Sequence, residues 1–423
     1  MSSSVLDYID EDEILEMARR MQAFKSFSHH EEPCARDYAE LLESLGFEVE
    51  FQESEPGRPN VIGRLRGSGG GPSLMFNSHM DIDPLPLETA EGAFDFYVED
   101  NMVMGHGLRN MKAALASMTA AAATLIRAQI PIKGDMILAA VVGELQGGIG
   151  TAHMIEQGVV PDYAIVPEPT MNNIRTMHVG NSQFLISTIG KSTWGGTLHL
   201  YDHVNAVTKM AKVIQAIENM ELSTPLHPEI VHAPRISISN IMGGFTRDYL
   251  LWRTGYVPDY CTVVFECRTV PGQTTEEIEA DLWRTLKPLQ EADPELEIEI
   301  EPPPAVYKDP WKGMIEMPPL YLPKDDPLVD IVHRHHVTVN DKEPDSIGYF
   351  DPGSYAGADS GHLQAAGAHV LNYGPSGHGD IRKYGKYGVR YDYIMDNARV
   401  LALCAEEILT STFDQLPGNT LRS

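Results

Sequence analysis

Four short segments, NSHMDID, GHGLRNMK, GELQGG and VPEPT, end an apolar run or open a glycine turn with side chains that ligate metals or move protons. They contribute His79, Asp81, Asn110, Glu144 and Glu168. An imidazole, an amide oxygen and a carboxylate are enough donors for one divalent metal with open positions. A further carboxylate beside them can serve as a general base. Each residue also has a blander use. A histidine at a strand end is often only hydrogen-bonded, Asn110 can cap the alanine-rich helix after it, and Glu168 can be a plain loop carboxylate. Leu145, next to Glu144, offers no donor where a second metal would need a carboxylate.

These residues need elements that bring them together. NVIGRLRG, SLMFNSHMD, MILAAVV and DYAIVPEPT read as strands, and NMKAALASMTAAAATLIRAQI and AHMIEQG as helices between them. That alternation predicts an α/β domain with a mostly parallel sheet, whose strand mouths converge on one cleft. Two helices, within residues 5–48, precede it. From residue 182 the pattern changes to βαββαβ, a split unit with two helices on one face of an antiparallel sheet. After PPPAVYKDPWKG the first pattern resumes, ending in the helix YIMDNARVLALCAEEILTSTF. The expected organisation is a catalytic domain in two parts, 1–181 and 303–423, interrupted by a lid over 182–302.

Length and charge narrow the function. A chain of 423 residues exceeds one ordinary core. Acidic residues outnumber basic ones by 60 to 32, a formal charge of −28. Such a field repels phosphate backbones and anionic lipid, so nucleic acid and membrane partners are not expected. An anionic small molecule would need a local cation or a metal. No apolar run reaches the ~18 residues of a spanning helix, and the acidic opening is unlike a signal peptide. Cys34, Cys261, Cys267 and Cys404 are scattered, as in a reduced, cytoplasmic protein.

On these segments the chain resembles the aminoacylase, acetylornithine deacetylase and carboxypeptidase G group of co-catalytic metallopeptidases, over nearly its whole length. SHMDIDP is similar to that group's His-x-Asp strand end, which implies that His79 is a metal ligand and Asp81 its orienter. GHGLRNMKAALA is similar to a Gly-x-Gly-x-x-Asp-Met-Lys-Gly motif whose Asp bridges two metals. GELQGG is similar to Asp-Glu-Glu-x-Gly-Gly and implies that Glu144 is the base. VPEPT matches the loop that gives the first metal a ligand, here Glu168. VPDYCTVVFECRTVPG and GADSGHLQAAGAHVLNYGP match the lid strand and the C-terminal turn. The implied fold is a zinc-exopeptidase-like α/β domain with an inserted α+β, ferredoxin-like lid that pairs in homo-oligomers.

The chain departs from the pattern at each ligand of the second metal. Asn110 replaces the bridging Asp, Leu145 the carboxylate, and Gly388, ahead of Asp392, the histidine. One exchangeable divalent metal on His79, Asn110 and Glu168 is therefore expected, Mn2+ first, with Zn2+, Fe2+ and Co2+ as competitors. His378 and His362 are candidates to replace the lost ligand, and His378 also to touch substrate. Trp194 stands where the resemblance expects an oxyanion-binding histidine, a role His199 or His203 can take over. Losing such a donor costs about a hundred- to thousand-fold in rate, so a substrate with its own electron sink is favoured. The resemblance then implies hydrolytic deamination of a carboxylated, nitro-activated aromatic amine, with Trp194 stacking on the ring or simply packing its loop. Alternatives are an N-acyl amino acid amidohydrolase or peptidase, and a non-catalytic binding protein. Arg247, Arg253 and Arg390 are candidates for a substrate carboxylate, while Arg268 is assigned to lid support.

Overall fold

The runs LMFNSH and MILAAV show no polar alternation, as strands covered on both faces require. They form the adjacent parallel strands Leu74–His79 and Met136–Val141, with every residue buried. The computed structural model describes residues 4–85, 92–250, 252–302, 315–350, 352–377, 388–419 and 421. In it these two strands sit within an eight-stranded sheet. Its strands begin, in spatial order, at Glu48, Arg58, Met136, Leu74, Tyr163, His369, Ile174 and Ile347. The central pairs are parallel and the Glu48 edge is antiparallel, so the expected mostly parallel sheet is present.

The helix Ala113–Arg127 is buried at every residue from Ala113 to Leu125. Its small side chains allow close approach to the last helix, Tyr391–Thr410, where Ser117 Oγ donates to Asn397 Oδ1 at 2.6 Å. Helix Pro327–Asn340 also packs on that last helix. On it, buried His336 accepts through Nδ1 from the Tyr373 hydroxyl at 2.8 Å, while Nε2 has no partner. Burial, aided by Lys342 and His333, holds this imidazole down to about 4. The unfolded chain therefore takes up the proton first. The stability His336 contributes is complete above its unfolded value near 6.5 and is lost as pH falls towards 4, by about 3 kcal/mol. Urea midpoints at pH 7 and 4.5 test this, since His336→Gln should lose less on acidification than the parent. An equal loss would refute it.

The chain divides into two compact units, Met1–His178 with Leu320–Ser423, and Val179–Pro319. The second holds strands Ser182–Ile189, Arg235–Gly244, Tyr260–Arg268 and Glu297–Glu301 with helices Ala206–Glu218 and Thr275–Ala292, in the order βαββαβ. All its strand pairs are antiparallel. Alternate strand residues such as Phe184, Ile186, Val263 and Phe265 form one core with Met210, Val213, Ile278 and Leu282 of the helices. The unit reaches beyond 182–302 because Gly180 bonds Thr269 and Asn181 bonds Met317 through the backbone. All four cysteines are free and buried.

Candidate metal centre

Strand Leu74–His79 delivers His79 at its C-terminal end, fully buried. Its Nδ1 lies 2.8 Å from the main-chain carbonyl of Asp81, to which it can donate, and 3.5 Å from Asp81 Oδ1. Its Nε2 faces Asn110 Oδ1 at 3.2 Å and Glu144 Oε2 at 3.8 Å. The Asp81 carboxylate, besides lying near this nitrogen, has a second engagement. It accepts the backbone N–H groups of Glu144 and Leu145, at 3.2 and 3.1 Å. Asp81 thus orients His79 mainly through its carbonyl, and its side chain holds the turn that carries Glu144.

That turn, Glu144–Gln146, is entered through Gly143 at φ +69°. Behind it, Arg58 donates to Gln146 Oε1 at 2.6 Å and pairs with buried Glu31. Asn110 arrives by a different route. Gly107 adopts φ +84°, and a Cβ there would stand 2.8 Å from Ile82 Cγ2, so only glycine lets this loop close on the segment after His79. Asn110 is extended (φ −134°, ψ 89°) and the helix begins at Ala113. It does not cap that helix; its amide oxygen meets His79 instead.

Glu168 belongs to strand Tyr163–Pro169 and not to a loop, and its Oε1 is buried without a hydrogen-bond partner. Burial pushes Glu144 well above the usual carboxylate range, with Glu168, Asp359 and Asp81 adding to the shift and His79 opposing it. Glu168 is raised by burial too, against His79 and Arg175. For His79 burial works against the cation, but Asp81, Glu144 and Glu168 outweigh it and hold the imidazole well above its ordinary value. This excess of buried negative charge and the orphaned Glu168 oxygen fit a divalent cation. Among the described residues no three His, Cys, Asp or Glu side chains form a metal-binding group; the set expected from the sequence, His79, Asn110 and Glu168, has two of those types and an amide.

Two groups escaped the sequence reading. Asp359, at the start of the short helix Ser360–Ala365, is buried with no well-formed hydrogen bond to either carboxylate oxygen. Burial and the charges of Glu168 and Asp81 push it up to about 7, against His79. Buried Arg175, on the two-residue strand Ile174–Arg175, donates to Gly353 O at 2.5 Å and Asn372 Oδ1 at 3.1 Å and acts electrostatically on Glu168.

Other candidates are placed differently. His362 is committed to the Gly147 carbonyl through Nε2 at 2.7 Å, and burial lowers its pKa. It is a donor to the turn, and that nitrogen is not offered to a metal. At Gly388, which pairs with Met104, a Cβ would stand 2.5 Å from Met104 Sδ. His378 lies outside the described residues. Trp194, His199 and His203 are exposed on the second unit. The Trp194 indole lies against Gly196, where a Cβ would come within 2.6 Å of the ring. Arg247 pairs with Glu299 at 2.9 Å, Arg390 pairs with Asp392, and Arg253 covers the Tyr256 ring at 4.8 Å. Arg268 pairs with Glu266 at 2.8 Å on its own strand.

Residues 75–407 match the model of peptidase family M20/M25/M40, and the chain belongs to that family of metal-dependent hydrolases of amide and peptide bonds. Among its relatives, N-formyl-4-amino-5-aminomethyl-2-methylpyrimidine deformylase of Halalkalibacterium halodurans is 26% identical over 413 residues, covering 88% of this chain and 89% of that protein. Acetylornithine deacetylase of Vibrio atlanticus is 26% identical over 308 residues, covering 70% and 72%. The fold is similar to that of the dipeptidase Dug1p of Saccharomyces cerevisiae, with TM-score 0.75, 12% identity and coverage of 97% and 100%. It is also similar to the Bacillus subtilis YXEP protein, a dinuclear metal binding peptidase, with TM-score 0.64, 13% identity and coverage of 95% and 99%.

Proposed function

We propose that the chain hydrolyses a C–N bond using one divalent metal held by His79, Asn110 and Glu168, with Glu144 as the base. The observation that carries this reading is Leu145, whose backbone N–H is taken by Asp81 and whose side chain has no donor for a second ion. Two oxygen donors and one imidazole suit manganese first, with zinc, iron(II) and cobalt as competitors. A bound metal of this kind supplies Lewis acidity that makes water a nucleophile near neutral pH. Glu144 takes the water proton and returns it to the departing nitrogen. Its buried position, 3.8 Å from His79 Nε2, sets it beside the ligand set.

The substrate reading is an aromatic amine activated by a nitro group, with 5-nitroanthranilate going to 5-nitrosalicylate and ammonia. Water oxygen adds to the ring carbon, the ring and nitro group hold the charge, and the C–N bond then breaks to release ammonia. Trp194 at the position of the lid histidine favours it, since an indole seated on glycine can stack on a ring but cannot stabilise an oxyanion as an imidazolium does. The second reading is an N-acylated amine or amino acid, favoured by the deformylase and deacetylase names of the relatives.

Metal-loaded protein assayed against both substrate panels, with metal counted per chain, tests the proposal. Ammonia from the nitro-amine and one metal per chain are the expected results. Free amino acid from the acyl panel would shift the substrate to the second reading. Two metals per chain would overturn the single-ion centre.

A further inference from the structure

Glu144 sits in a turn with little reason of its own to hold one shape. Its three residues, Glu144–Gln146, stand between Gly143 at φ +69° and Gly147 and Gly148 at φ +86° and +80°. Glycine loses more conformational freedom on folding than any other residue, so other groups must grip such a turn to keep it in place. Asp81 grips it in front, through the backbone N–H groups of Glu144 and Leu145, and His362 takes the Gly147 carbonyl. The grip from behind belongs to Arg58.

Arg58 opens the strand Arg58–Leu65, and its side chain is buried. Its Nη1 donates to Gln146 Oε1 at 2.6 Å, and its Nη2 stands 3.2 Å from where a Cβ on Gly143 would be. Both ends of the turn therefore rest on one guanidinium. That guanidinium is itself fixed. Nε donates to Glu31 Oε2 at 3.1 Å and Nη2 to Glu31 Oε1, while Nη1 also donates to Glu55 Oε2 at 2.6 Å. Glu31, immediately before the helix Glu32–Ser44, is fully buried. Buried ion pairs are poor sources of stability, because taking two charges out of water often costs more than their attraction returns. A pair this deep, whose fork also reaches Gln146, points to geometry as its use.

We infer that Arg58, anchored by Glu31, is a positioning residue for the reaction, fixing through Gln146 the turn that carries Glu144. The inference rests on the proposed function for the assignment of Glu144 as the base. A lysine does not replace this arginine, since a single ammonium lacks the planar fork that meets Glu31, Glu55 and Gln146 together. Were the pair only a strut between helix and strand, its loss would weaken the fold and leave kcat alone.

Three variants of the full-length protein, loaded with Mn2+, test it: Gln146→Ala, Arg58→Met, and Arg58→Met combined with Glu31→Leu. Gln146→Ala removes the grip and leaves the ion pair. It should lower kcat about 10- to 100-fold, the scale for a misplaced group, with KM and metal content unchanged. Amide hydrogen exchange over residues 143–148 should quicken about 10-fold or more, as loss of a hydrogen bond to a charged group implies, with the rest of the chain as in the parent. Arg58→Met should also unfold more readily, because it strands the buried charge of Glu31. The double change should recover that stability and not the kcat. Parental kcat or parental exchange in Gln146→Ala would overturn the inference, and so would a double variant that regains kcat together with stability. Gln146→Ala decides alone should the double variant not fold. Exchange is read without turnover, so a failed base assignment, visible as turnover that survives Glu144→Gln, is told apart from a failed grip.

Discussion

Glu144→Gln should lower kcat by about 10²- to 10⁴-fold, the range for removing a general base, with metal content unchanged. The replacement is nearly isosteric, and the backbone N–H that binds Asp81 Oδ1 is untouched. Stability should hold or rise. Burial raises Glu144 above its unfolded value, so any ionisation of this group costs the folded state stability, and a neutral amide avoids that cost. Single-turnover rates, metal analysis and a thermal scan together separate these effects. Full turnover by the variant, on a substrate the parent consumes, would remove Glu144 from the chemistry.

The second large effect concerns the imidazole and its two supports. His79→Ala should reduce bound metal to background and abolish turnover, because it removes the one nitrogen donor of the set. Asp81→Asn should behave differently. The acceptor of His79 Nδ1 is the main-chain carbonyl at 2.8 Å, which the substitution keeps. What changes is the carboxylate that receives two backbone N–H groups of the Glu144 turn, since an amide can point only one oxygen at them. Metal affinity should therefore fall by no more than about 10- to 100-fold, and kcat at saturating metal should still drop. A variant with parental kcat once metal is supplied would show that the turn does not depend on that carboxylate.

The division of labour within Asp81 is also where sequence reading stops. A His-x-Asp strand end announces two cooperating residues, but which oxygen faces which partner depends on how the chain turns after His79. Strand-mouth logic puts His79 at the end of its strand and Glu144 in the turn after Met136–Val141, because apolar runs of six residues define where these strands end. Asn110 reads equally as a helix cap in the sequence; the loop, pressed on Ile82 at Gly107, turns its oxygen towards His79 and away from that use. Asp359 and Arg175 were missed for a shared reason. One opens a six-residue helix and the other ends a two-residue strand, and elements that short have no periodicity. His362 misled because its partner is a carbonyl, which leaves no mark on the sequence.

The close meeting of Gly388 with Met104 makes the departure from the dinuclear pattern hard to reverse. Exchanging Asn110 and Leu145 for acids would rebuild only half a cradle, because an imidazole at 388 has nowhere to go until Met104, and Met102 3.0 Å from the same point, are cut back. Packing acts here as a ratchet. Any laboratory attempt to build an imidazole into this position should trim the methionines first and add the acids afterwards.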